Sequence, residues 1–286
     1  MPRQVKSHNQ RARDHFIGRV WRVARIQSRA MRQSLVEILP ERTARTKYFD
    51  FDVEYPSRSL VGRTIRRGEV WDMPLCGLVD QVGPGSTVVD IGANIGISTL
   101  TMIAARKDIR VVCFEPASRY FPFLERNIRR NHLEASVTCV FRGISENAGN
   151  EILHINSTTA SAAVAKYGHR RARSEVMTCI PLDEYFRDRA DVPALIKIDT
   201  DGFEVEVVKS GRSVLGRYHP LLFLEFSPAL LESAGHDPME LLELLLALGY
   251  RSADVFSPRG DLLQGGAELF NVMPIGPSYV DLALRA

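Results

Sequence analysis

Residues 88–98 read VVDIGANIGIS, an apolar run that ends in an aspartate and two glycines four positions apart. A glycine turn between a strand and a helix lets a nucleotide approach the backbone. The dinucleotide fingerprint G-x-G-x-x-G requires a second glycine where Asn94 stands, so the close pyrophosphate approach is disfavoured. A phosphate-cradling G-x-x-x-x-G-K-[ST] is absent. What remains is Asp90, Gly92 and Gly96, followed by Glu115 at the end of VVCFEP. A carboxylate only accepts hydrogen bonds and has two oxygens, which suits the vicinal hydroxyls of a ribose. Nicotinamide cofactors use the same contact, so Glu115 alone does not discriminate. A missing pyrophosphate glycine together with an acidic ribose ligand fits a nucleoside without phosphates, and S-adenosylmethionine is the candidate. The expected cofactor contacts are Asp90, Gly92, Ala93, Asn94, Gly96, Glu115 and Pro116. Asp90 is expected near the methionine ammonium, through water. The rival reading is that Gly92 and Gly96 only allow a strand and a helix to pack closely.

A second constellation follows. Asp199 ends the run LIKID and Glu225 lies near the end of LLFLEF. Open α/β sheets bind ligands at the carboxyl ends of their strands, so both carboxylates should face one crevice. Lys197 shares a side of its strand with Asp199 and is placed to hold it ionised. Transfer of a methyl group from a sulfonium is an in-line displacement whose leaving group needs no acid. Alignment can supply up to ~7–11 kcal/mol of such a barrier. A positioned base adds ~10²–10⁴-fold. Asp199 is the first candidate for that base or for orienting the acceptor, Glu225 the second, and Lys197 their support. Against this, Asp199, Thr200 or Asp201 could cap the helix that starts near Gly202. Glu225 could equally be half of a structural pair with an arginine. Asp199, Asp201 and Glu225 also make a conceivable oxygen cage for a divalent metal, although no metal is assigned. The seven histidines form no HxxxH and pair with no cysteine, which speaks against zinc. No G-x-S-x-G points to a hydrolytic serine.

These residues need strands and helices to position them. Apolar runs predict strands at Thr87–Ile91, Arg110–Phe114, Ser136–Phe141, Leu195–Asp199 and Leu221–Phe226. Helical spacing covers Ile97–Ala105, Ser118–Arg130, a start at Phe203–Ser210, and Pro238–Leu248. Runs such as RVVCF and LLFLEF lack period-two alternation, as strands buried on both faces should. Strands alternating with helices predict a doubly wound, mostly parallel α/β sheet. Glu151–Asn156 and Glu175–Ile180 read as short, antiparallel strands around a polar loop, 157–174. Residues 250–256 and 268–275 read as terminal strands. Ahead of the sheet, residues 48–71 suggest a hairpin and 15–39 a helix ending at Pro40.

The 286-residue chain has a net charge of only +3, yet residues 1–47 hold 12 Lys/Arg against 3 Asp/Glu. The domain division is therefore a basic arm, 1–47, and a main domain, 48–286, with its core at about 85–275. The arm suits an anionic surface; its spread arginines and few aromatics argue against specific nucleic-acid binding. No apolar run is long enough to cross a membrane. No apolar stretch near the start resembles a secretory signal. The four cysteines are widely spaced without a CxxC, as in a reduced, cytoplasmic protein.

Taken in order, DIGANIG, FEP, IKIDTDGFEVEVVKSG and PLLFLEF resemble the FkbM-type family of S-adenosylmethionine-dependent methyltransferases over about residues 68–275. The resemblance implies a seven-stranded, Rossmann-like methyltransferase sheet and methyl transfer to a hydroxyl, typically on a sugar or natural product. The family often shows K-I-D-x-E-G, where this chain has Asp201 in place of the glutamate. Two rivals stand beside it. One is an NAD(P)-dependent reductase on a similar sheet. The other is an inert methyltransferase-like domain whose basic arm binds nucleic acid or an anionic membrane surface.

Overall fold

The strands without alternation form the middle of one sheet, because only a strand covered on both faces can be apolar throughout. In the computed structural model, residues 42–155, 160–161, 173–272 and 279–286 are described. The expected helix over 15–39 and most of the 157–174 loop lie outside them, as does most of the basic arm.

The central strands are β3 (Thr87–Ile91), β4 (Arg110–Phe114), β5 (Val137–Val140), β10 (Pro193–Ile198) and β11 (Leu221–Phe226). They lie parallel in the order β11-β10-β3-β4-β5. From β3 the chain winds outward to β5, then returns to add β10 and β11 on the other side. Such a reversal leaves a crevice beyond the carboxyl ends of the two strands that flank it, here β3 and β10.

Successive strand residues point to opposite faces, which gives two cores. Val88, Val111 and Leu195 join one, beneath α3 (Ile97–Ala105) and α4 (Phe121–Arg130). Val89, Val112 and Ile196 join the other. That face is covered by α5 (Leu182–Phe186), α6 (Glu204–Ser210), α7 (Arg212–Tyr218) and α9 (Pro238–Ala247). Short helices α1 (Leu60–Arg66), α2 (Pro74–Val79) and α8 (Pro228–Ala234) complete the set.

The sheet has eight strands, one more than expected, and its far edge differs from the sequence reading. β12 (Ser252–Phe256) falls within the predicted 250–256. The predicted strand at 268–275 is replaced by β13 (Leu262–Glu268), which precedes it, and a single 3₁₀ turn at Leu269–Asn271. β14 (Val280–Arg285) enters between β11 and β12, antiparallel to both. β13 carries two adjacent glycines and is almost wholly exposed, so it has neither propensity nor burial to mark it.

A second sheet has the order β6-β9-β7-β8, from Gly143–Ile144, Gly149–Ile155, Ala160–Ser161 and Arg173–Ile180. Its β7 and β9 are antiparallel, as expected. The hairpin pairs β1 (Thr43–Tyr48) with β2 (Phe51–Pro56). It begins inside the stretch assigned to the basic arm: residues 43–47 are strand, and Thr43–Ala286 is one compact unit. Among the described residues no helix is long and apolar enough to cross a membrane.

One side chain ties the hairpin to the sheet layer. Asn127, fully buried on α4, accepts from Glu54 N at 2.7 Å. It donates to Glu54 O at 3.0 Å and Ile95 O at 2.8 Å. Asn127→Ala strands three buried backbone groups, so stability should fall by about 1–3 kcal/mol, read as a lower urea midpoint.

Candidate active site

A cavity of about 270 Å³ opens beyond the carboxyl ends of β3 and β10. Gly92, Ala93, Asn94, Glu115 and Pro116 line it, as the sequence predicts. Gly92 has φ +83°, and a Cβ there would overlap the Asp199 carbonyl oxygen. Only glycine lets the turn pass so close to the start of the next loop. Asn94 also sits at positive φ, 52°, a conformation asparagine tolerates better than most residues. Its backbone N–H donates to Glu115 Oε2 at 2.7 Å, and Ala117 N–H donates to Glu115 Oε1 at 2.8 Å. Each Glu115 oxygen keeps a lone pair toward the cavity. Burial pushes the Glu115 carboxyl up to about 7, against the pull of these two hydrogen bonds and of Lys197. The Asn94 amide oxygen is buried and has no hydrogen-bond partner among the described residues.

Two expected cofactor contacts are not on the cavity wall. Gly96 is the N-cap of α3 at φ 91°, and a Cβ there would lie 2.8 Å from Leu124 Cδ1. Its lack of a side chain serves helix packing, the rival reading of that glycine. Asp90 is fully buried beneath the turn. One of its oxygens accepts from Thr99 Oγ1 at 2.7 Å and the other lies 3.3 Å from Lys197 Nζ. That second oxygen, Oδ1, has no hydrogen-bond partner among the described residues.

Lys197, Asp199 and Glu225, the three predicted catalytic residues, all line the same cavity. Lys197, 2% exposed, reaches Asp199 Oδ2 at 3.2 Å, Asp90 Oδ1 at 3.3 Å and the Gly92 carbonyl at 3.3 Å. Burial alone would depress this ammonium, but Asp199, Asp90 and Asp72 outweigh it and hold it well above its ordinary value. The Gly92 contact is a hydrogen bond and the Asp90 and Asp199 contacts are ion pairs; the buried Asp90 Oδ1 has no hydrogen-bond partner among the described residues.

Neither structural alternative for the carboxylates holds. The turn before α6 is closed by Glu204, which accepts from Thr200 N, Thr200 Oγ1 and Gly202 N. Asp199 is therefore not needed as a cap. Glu225 has no arginine partner among the described residues, and its Oε2 is buried without a hydrogen bond. Burial drives its carboxyl well above the usual range, helped by Asp199, Asp201, Glu204 and Asp281. Asp199, Asp201 and Glu225 each present an oxygen within 4.8 Å of the others.

Sequence reading missed two further acids. Asp72 lies in an irregular stretch at φ 52° and accepts from Ser98 Oγ at 2.6 Å. Burial takes its carboxyl up to about 6, Lys197 opposing and Asp199 adding to the rise. Asp281 stands opposite Glu225 in the β11–β14 register. Burial, then Asp72 and Asp199, carry it to about 8. No periodicity marks Asp72; an acid within VDLALR is the same signal as the glutamate in LLFLEF and was legible.

Lys197→Met would leave Asp90 buried beside no cation, so folding should lose about 3–5 kcal/mol in guanidinium denaturation. Adding Asp90→Asn should restore part of that loss.

Comparison with known proteins gives this geometry a family. The methyltransferase FkbM domain matches residues 90–252, more than half of the chain. A ribosomal RNA small subunit methyltransferase G from Salinispora tropica is 32% identical over 119 residues, 40% of this chain and 47% of that protein. The methyltransferase sdnD of Sordaria araneosa is 29% identical over 155 residues, 43% of this chain and 59% of that protein. The matches span from 28% to 59% of the length of such curated relatives. Among solved structures, methyltransferase FkbM from Methylobacillus flagellatus KT aligns with 69% of this chain and 43% of its own. The alignment has 20% identity and a TM-score of 0.43. The reductase reading falls away, because the matched stretch runs from Asp90 through the glycine turn, Glu115, Asp199 and Glu225 to Ser252: the chain is a member of the FkbM methyltransferase family.

Proposed function

We propose that the chain is an S-adenosylmethionine-dependent O-methyltransferase acting on a hydroxyl of a carbohydrate or similar small hydroxylated molecule. The observation that carries this reading is a single cavity lined both by a ribose-type acceptor, Glu115, and by carboxylates beside Lys197. The cofactor wall fits the nucleoside, since Glu115 has lone pairs to spare and the buried Asn94 amide oxygen lacks a donor. Gly92, Ala93, Asn94, Glu115 and Pro116 would hold it. When bound, S-adenosylmethionine supplies an electrophilic methyl group on a sulfonium.

The chain's own residues do the rest. Asp199 orients the acceptor hydroxyl and takes its proton. Lys197 keeps the Asp199 carboxylate in place and stays charged. Glu225, beside them, confines the acceptor oxygen to the line of transfer. Alignment of this kind lowers the barrier most.

The relatives named as ribosomal RNA methyltransferases raise RNA as an acceptor. The charge among the described residues disfavours it: Asp72, Asp199, Asp201, Glu225 and Asp281 outnumber Lys197 and Arg142, the basic groups on the cavity lining, and phosphates gain little there. A neutral hydroxylated molecule meets no such barrier.

Incubation with methyl-labelled S-adenosylmethionine and fractionated cell extract should place label in small hydroxylated molecules. Label confined to RNA, or no turnover, would overturn the reading. Glu115→Ala should weaken cofactor binding by about 1.5–3 kcal/mol in calorimetry. Asp199→Asn should leave that affinity nearly intact and depress turnover by ~10²–10⁴-fold. Affinity should also fall as pH drops through about 7, because the Glu115 carboxyl then gains a proton and loses acceptor capacity. Binding below that pH should release a proton, seen as a buffer-dependent calorimetric heat.

A further inference from the structure

Among the described residues, Lys197 forms ion pairs with Asp90 and Asp199 and donates to the Gly92 carbonyl. Glu225 forms no ion pair with it, and its buried Oε2 has no hydrogen-bond partner among the described residues. Asp281, only 8% exposed and opposite Glu225 across the strand pair, likewise has no hydrogen bond or ion pair among the described residues. Buried carboxylates are ordinarily paired or bound to a metal, since an isolated one costs several kcal/mol.

Asp199, Asp201 and Glu225 bring one oxygen each within 4.8 Å of one another, a spacing that oxygens around one hard divalent ion satisfy. The donors are all oxygens, with no histidine or thiol among them, which selects magnesium, manganese or calcium over zinc or copper. Each residue comes from the carboxyl end of a central strand or the loop just after it, so the backbone holds the set rigidly. Glu225 Oε2 has no hydrogen-bond partner among the described residues, and Asp281 stands opposite Glu225 on β14.

We infer that Asp199, Asp201 and Glu225 form a binding site for one hard divalent cation on the acceptor side of the cavity. The open positions of its shell face the cavity and take the acceptor's hydroxyl oxygen, best two neighbouring hydroxyls. That last part rests on the methyltransferase reading above; the cation site does not. The cation supplies the positive charge that Lys197 cannot reach.

The test uses the full chain freed of metal with a chelator, titrated with Mn²⁺ and read by electron paramagnetic resonance of the free ion. One Mn²⁺ should bind per chain, displaced by Mg²⁺ or Ca²⁺. Glu225→Gln and Asp201→Asn should each weaken binding tenfold or more, with circular dichroism unchanged, while the exposed Glu134→Gln should not. No binding below about 1 mM would overturn the site. Binding that survives both substitutions would overturn it equally. Calorimetry with S-adenosylmethionine on the same samples separates the two claims. Cofactor binding without Mn²⁺ binding removes only the cation site. Mn²⁺ binding without cofactor binding removes the methyltransferase reading and leaves the cation site standing.

Discussion

The site depends on one buried ammonium. Lys197 projects from β10 and touches Asp90 on β3, the Gly92 carbonyl in the cofactor turn, and Asp199 on the acceptor wall. A charge so deeply buried persists because two carboxylates and a carbonyl oxygen lie around it. The consequence is geometric. A single atom lies against both the glycine turn and the Asp199 carboxylate. Gly92 completes the constraint, since a side chain there would collide with the Asp199 backbone. Strand, turn and loop are therefore held in one register.

Much of this was legible in the chain. The strands VVDI, RVVCF and LLFLEF announced themselves by apolarity without alternation, and the order of strands and helices implied the reversal that creates the crevice. Lys197 and Asp199, two apart on one strand, had to share a face. The exceptions have physical causes. Asp90 sits in a motif associated with cofactor contact, yet its oxygens are drawn inward by Thr99 and Lys197, partners 9 and 107 positions away along the chain. Gly96 is required by a Leu124 methyl on another helix, which no local pattern encodes. β13 pairs through its backbone while its side chains face solvent, so its composition carried no strand signal. Asp72 meets Ser98 from a stretch at positive φ, where spacing rules do not apply.

The distribution of acids shapes selectivity. Glu54, outside the cavity, is surrounded by Arg45, Arg126 and Arg130, and these guanidinium groups hold its carboxyl below the usual range despite the opposing effect of burial. Around Lys197 the balance is reversed: burial and mutual repulsion raise Asp72, Glu225 and Asp281. The protein thus neutralises a structural acid with arginines and leaves its functional wall negative. That negative wall fits a cationic or neutral visitor and turns away polyanions.

The position of β14 has a further consequence, for the order in which the site is made. Residues 280–285 lie between β11 and β12, both of which emerge from the ribosome earlier. Until β14 is synthesised, β11 has an open edge and Glu225 lacks its neighbour Asp281. The glycine turn and Lys197 precede it in the chain, so Glu225 gains its buried neighbour only when this late strand pairs with β11.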